Sequence, residues 1–115
     1  MEITIRPTVI TDFERLIKVE TAATPGLSYL PNVFGTFLND TSGAFLTAEF
    51  DGEIVGCGKF SVMPDGSAWL ETLRVLPEYQ GKGIGKRFYE YFLNLASEKN
   101  ISYLRMYTGI KNVVS

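Results

Sequence analysis

A chain of 115 residues with 45% apolar and 21% charged residues has room for one globular domain and not for two. Its net charge of −2 argues against a domain whose main task is to grip nucleic acid through phosphates. One cysteine and no histidine exclude an internal disulfide and the common cysteine- or histidine-rich metal sites, so no metal is expected. No N-terminal stretch reads as a signal peptide, and no apolar run approaches the roughly eighteen residues of a membrane span. The expectation is a cytoplasmic protein that makes no use of a membrane.

Residues 2–6 alternate polar and apolar, a strand signal that Pro7 ends. Thr11 can cap the helix that follows, with Glu14 three positions on as its capping-box partner. Phe13, Leu16, Ile17 and Glu20 keep helical spacing along it. Residues 24–31 read as loop, punctuated by Pro25, Gly26 and Pro31, and residues 32–38 as a short second helix. Strands are expected at 44–50, 53–62 and 67–75, joined by the tight turns Asp51-Gly52 and Pro64-Asp65-Gly66 into an antiparallel meander. From residue 83 to Asn100 the apolar residues Ile84, Phe88, Tyr91, Phe92, Leu95 and Ala96 mark one face of a helix, and Asn100 is a plausible stop. A last strand is expected at 101–108. Strand, helix and strand in that order predict a parallel pair with a right-handed crossover.

The segment between the third meander strand and the long helix carries the chemistry. Gly81, Gly83 and Gly85 alternate with Lys82, Ile84 and Lys86. Glycines there let backbone N–H groups come close to a ligand, and the first N–H groups of a helix have no partners within it. The helix dipole and the two lysines add positive charge, so a phosphate or pyrophosphate suits the loop. The plainer alternative is a tight turn with no ligand. Two familiar phosphate loops can be tested. A P-loop aligned on Gly85-Lys86 puts Gln80 at its first glycine and Arg87 at its Ser/Thr. A dinucleotide fingerprint ends on Lys86 or Phe88 where glycine is needed. Both fail.

The loop resembles the pyrophosphate motif of the GNAT (GCN5-related) N-acetyltransferases, Gln/Arg-x-x-Gly-x-Gly/Ala. Gln80, Gly83 and Gly85 fill it, and Val75 and Pro77 match the usual lead-in. The order of elements resembles that family too. The resemblance implies an α/β (α+β) fold: a mixed, mostly antiparallel sheet with helices on both faces. It implies acetyl-CoA as co-substrate, with the pyrophosphate on the backbone of Gly81, Lys82, Gly83, Ile84, Gly85 and Lys86. The pantetheine arm would pair with main-chain groups of the strand at Leu73, Arg74 and Val75, as an added strand does. It further implies a bulge in that strand, a gap beside the following parallel strand, and a primary amine of a small molecule or peptide as acceptor.

The resemblance makes Glu71 the candidate base. The alternative is a solvent-facing strand glutamate, and by simple alternation Glu71 shares a face with Trp69, Leu73 and Val75 unless a bulge intervenes. Asn112 falls where the family often places a cofactor-contacting asparagine; a ligand-free N-cap is the alternative. Tyr29, Tyr79, Tyr89 and Tyr107 earn no role as acid, and Cys57 reads as a small core residue. Family members usually continue beyond the point where this sequence stops, through another helix and two strands. The expectation is therefore a C-terminally truncated form of reduced activity, or a homodimer that completes the sheet. A non-catalytic acyl-CoA-binding module is the alternative to an enzyme.

Overall fold

The computed structural model describes residues 2–106. Five strands, β1 (Ile3–Pro7), β2 (Ala44–Phe50), β3 (Glu53–Val62), β4 (Ala68–Val75) and β5 (Leu104–Met106), form one sheet in the order β1-β2-β3-β4-β5. The first four pair antiparallel, and β4 pairs parallel with β5. Three helices, α1 (Phe13–Ala23), α2 (Leu30–Leu38) and α3 (Ile84–Glu98), pack on it. The mixed, mostly antiparallel sheet with helices on both faces is the expected fold class.

Local chemistry explains most boundaries. Asp51 and Gly52 both take positive φ, 52° and 89°, and Phe50 pairs with Glu53 across them. This is a two-residue hairpin turn whose twist suits the flanking strands. Asn100 ends α3 with φ 57°, while Ile101 N–H donates to Ala96 O at 2.8 Å and Asn100 N–H to Ser97 O at 3.2 Å. Those two bonds satisfy carbonyls that the last helical turn leaves open.

Register sorts the two faces. Residues paired across a ladder share a face, so Phe45, Thr47, Cys57 and Lys59 point toward α1 and α2. The Phe45 ring meets Phe34 and Phe37 of α2 edge-on at 5.4 and 5.2 Å between centroids. On the other face Leu46, Ala48, Gly58 and Phe60 meet α3, where Phe92 stacks on Phe60 at 5.8 Å. Gly58 lets the rings come close: a Cβ on it would stand 3.2 to 3.3 Å from the Phe88 and Phe92 rings, which would have to shift by a few tenths of an ångström.

Several local expectations are corrected. Thr11 is exposed, lies in a 3-10 turn (Ile10–Asp12) and caps nothing; Asp12 directly precedes α1 but makes no side-chain bond to its amides, its Oδ2 instead accepting the Val9 N–H at 2.9 Å while Arg6 holds both its oxygens. Pro31 lies in the first turn of α2, where its missing N–H costs nothing, so the helix starts at Leu30. Tyr91 is exposed, although its spacing placed it on the buried stripe of α3. The described part of β5 starts at Leu104, three residues later than expected, and Tyr107 and Thr108 lie outside the described residues.

Candidate active site

β4 carries a bulge at the place that matters. Cys57 pairs with Arg74 and Lys59 with Glu71, so Thr72 and Leu73 together stand opposite Gly58. Thr72 takes φ 58°, a left-handed conformation that a β-branched residue rarely adopts. The extra residue resets the alternation. Glu71 shares its face with Trp69 and Arg74, whereas Val75, opposite Gly56, is on the α3 face. The simple alternation that put Glu71 and Val75 on one face is thereby overturned. Among the described residues β5 pairs with β4 at Ala68, Trp69 and Leu70, and no described strand lies on that side of the stretch from Glu71 to Val75.

Glu71 is half-buried and accepts a hydrogen bond from Ser61 Oγ at 2.6 Å. Ser61 Oγ in turn accepts one from Lys59 Nζ at 2.8 Å, and Lys59 also pairs with Asp40 Oδ2 at 2.6 Å. Lys59 is 1% exposed. The contact with Lys59 holds the Asp40 carboxyl down at about 2, against the opposing pull of burial. A second buried pair stands further along the same face. Arg74 Nε donates to Glu20 Oε2 at 3.2 Å, while Glu20 Oε1 accepts the backbone N–H groups of Tyr29 and Leu30 at 3.0 Å each. That carboxylate ties the α1–α2 connection to the bulged strand. Arg74 therefore spends its side chain on Glu20, and what it offers a ligand is its backbone. Asp40, Lys59, Ser61 and Glu20 were not among the sequence candidates. A lysine in the otherwise apolar run from Ile54 to Val62 was the one signal for them, with Glu20 on the apolar stripe of α1.

Beyond Val75 a 3-10 turn (Pro77–Tyr79) leads into the glycine loop. Tyr79 packs its ring against Phe50 at 5.2 Å. Gln80 folds back, its Nε2 donating to Val75 O at 3.0 Å, and so fastens the loop to the strand end. Gly81 and Gly83 take φ 80° and 89°, with open space where each Cβ would be. No backbone N–H from residues 81–86 meets a protein acceptor among the described residues; the first bond of α3 is Arg87 N–H to Gly83 O at 3.0 Å. Lys82 and Lys86 are exposed beside these amides, and Ile84 is buried beneath them. Six successive amides without a described protein partner at a helix start, flanked by two ammonium groups, are chemically suited to an anion.

Cys57 is fully buried, and burial pushes its thiol up to about 12, which leaves it inert as a nucleophile. Among the described residues no cluster of His, Cys, Asp and Glu could hold a metal ion, and no helix is long and apolar enough to cross a membrane. Asn112 lies outside the described residues.

A sequence profile described as the acetyltransferase (GNAT) family matches residues 10–115. The histidine N-acetyltransferase of Oreochromis niloticus is 32% identical over 74 residues, covering 64% of this chain and 22% of that protein. Its counterpart in Xenopus tropicalis is 28% identical over 89 residues, covering 76% and 28%. The chain thus spans about a quarter of the length of these curated relatives. Among solved structures, the ribosomal-protein-S18-alanine N-acetyltransferase of Escherichia coli superposes with a TM-score of 0.81 at 19% identity, covering 97% of this chain and 70% of that one. AAC(6')-Iy, in complex with a bisubstrate analog of CoA and acetylneamine, superposes with a TM-score of 0.77 at 19% identity, covering 97% and 83%.

Proposed function

The chain belongs to the GNAT acetyltransferase family, and from that premise we propose that it forms one N-acetyltransferase domain that moves an acetyl group from acetyl-CoA to a primary amine. The row of unpaired amides at residues 81–86, directly after the bulged strand, carries this reading. Those amides and Lys82 and Lys86 hold the pyrophosphate. Main-chain groups of Leu73, Arg74 and Val75 hold the pantetheine arm, as an added strand would. Acetyl-CoA supplies an acyl group activated as a thioester.

Glu71 takes the proton that the incoming ammonium must lose before its nitrogen can attack. A backbone N–H at the bulge stabilises the charge that develops on the acyl oxygen. The new C–N bond forms as the C–S bond breaks, the nitrogen gives up its second proton to become the amide, and the departing sulfur takes up one proton. Direct transfer needs the two substrates together, and the bulge holds the strand open where they meet. Histidine is the first acceptor to try, because the curated relatives are histidine N-acetyltransferases. An aminoglycoside is the second, after another structural neighbour, the aminoglycoside antibiotic 6'-N-acetyltransferase AAC(6')-Ih of Acinetobacter baumannii.

Calorimetry with acetyl-CoA, CoA and ATP tests the loop. Binding of the first two and not of ATP is expected, and no CoA binding at millimolar concentration rejects the reading. Glu71→Gln is expected to lower turnover by roughly 100-fold, the low end for a general base, with acetyl-CoA affinity retained. Tight binding without turnover on any amine identifies an acyl-CoA-binding module instead.

A further inference from the structure

The chain of contacts behind Glu71 is built end to end. A lysine ammonium has three donors and no acceptor. Lys59 uses all three, toward Asp40 Oδ2 at 2.6 Å, Ser61 Oγ at 2.8 Å and Phe60 O at 3.0 Å, with its Nζ 5.1 Å from the centre of the Phe37 ring. Asp40 is fixed in turn. Its Oδ1 accepts from Ser42 N, Ser42 Oγ and Gly43 N at 3.0, 2.8 and 3.2 Å, which leaves Oδ2 for the lysine. Gly43 closes the site: a Cβ there would stand 2.1 Å from Phe60 O, 2.8 Å from Asp40 Oδ2 and 3.0 Å from Lys59 Nζ.

The direction of one hydroxyl follows. Ser61 Oγ accepts from Lys59, so its single proton goes to Glu71 Oε2 at 2.6 Å. Among the described residues Glu71 has no other side-chain hydrogen bond. A buried charge this well bonded is costly to assemble and is not needed for packing, since apolar residues of similar volume do as well or better. Its position, bonded through one serine to the candidate base, gives it another task.

We propose that Lys59 and Ser61 are positioning residues for the acyl transfer: anchored by Asp40, they fix where the Glu71 carboxyl stands. The proposal rests on the reading of Glu71 as general base. The charged groups sharing this face are Lys59 with Asp40, Arg74 with Glu20, Arg6 with Asp12 and Glu49, and Arg105, which stands beside Trp69 in the β4–β5 register. Arg74 is matched by its own carboxylate, and Lys59 acts on Glu71 through the serine hydroxyl.

The test is a kcat-against-KM split on full-length protein. On histidine, or whichever amine is turned over, Ser61→Ala is expected to lower kcat by roughly tenfold with the KM for acetyl-CoA unchanged, Lys59→Met to act in the same direction, and Ser61→Thr, which keeps the hydroxyl, to restore kcat to near the original value. An undiminished kcat in Ser61→Ala, a mild change whose folding thermal denaturation can check, overturns the proposal and leaves the function reading intact. Undiminished turnover in Glu71→Gln instead overturns Glu71 as base, and the positioning role with it.

Discussion

The two faces of the sheet are held by different physics. Toward α3 the contacts are apolar and shape-dependent: Phe60, Phe88 and Phe92 stack with Gly58 beneath them. Toward α1 and α2 an aromatic cluster around Phe45 adjoins three buried or half-buried ionic groups: Arg6 with Asp12 and Glu49, Glu20 with Arg74, and Lys59 with Asp40. The α3 face can be optimised for packing density alone. The other face lies beside the bulge and carries the proposed base, so it holds charges in fixed places at a cost in desolvation. A domain that had only to fold would have little use for the second arrangement.

Breaking one partner of a buried pair tests this contrast most severely. Glu20→Ala leaves the Arg74 guanidinium and the Tyr29 and Leu30 amides without their acceptor, and a loss of about 3–5 kcal/mol is expected in urea unfolding. Replacing Glu20 and Arg74 together by methionine is expected to recover part of that loss, because no isolated charge remains. A double variant as unstable as the single one would mean that the carboxylate's backbone bonds, and not its ion pairing, dominate.

On the apolar face the matching test is Gly58→Ala. The new methyl enters contacts already tighter than usual against two rings, and a destabilisation of about 1–3 kcal/mol is expected from thermal or urea unfolding. Near-neutral behaviour would show that α3 can shift outward and that this face is less constrained than its packing suggests.

Strain at the bulge gives a smaller effect of the opposite sign. Thr72→Gly removes a β-branched side chain from a left-handed conformation and is expected to stabilise the fold by up to about 1 kcal/mol, net of the added freedom of the unfolded chain. A stabilised variant with lower turnover would place that strain among the features kept for function.

The last comparison is an acid limb. Asp40 has a folded value of about 2 against an ordinary 3.8, so the unfolded chain binds its proton first as the pH falls. The stabilisation from the Asp40–Lys59 pair is thus fully present above about pH 4 and is lost as the pH drops toward 2. Lys59→Met is expected to flatten that part of the stability profile, measured by urea midpoints from pH 5 to pH 2, and an unchanged slope would assign it to other carboxylates.

How far the sequence alone reached depended on the range of the interactions involved. The Asp51-Gly52 hairpin, the stop at Asn100 and the strands at 44–50 and 53–62 are decided by a few adjacent residues, and the structure has them where the pattern put them. The Gln80-to-Gly85 motif was legible for the same reason: a left-handed glycine and a helix start are local events. Thr11 misled because it lies inside a 3-10 turn that precedes α1, and Pro31 because a proline in the first helical turn reads like a loop signal. Asp12 stands before α1 with its carboxylate held by Arg6, which only the fold brings alongside.

Sequence by itself therefore determined the family, the order of elements and the loop of free amides, all of which rest on short-range pattern and backbone conformation. Tertiary structure decided which side of the sheet Glu71 faces and what stands behind it. One extra residue at Thr72-Leu73 reverses the alternation only relative to a partner strand. The Lys59–Asp40 and Arg74–Glu20 bonds join residues 19 and 54 positions apart. Such pairs leave no periodic trace along the chain, because burial of a charge is tolerated only where folding brings its partner within hydrogen-bond reach.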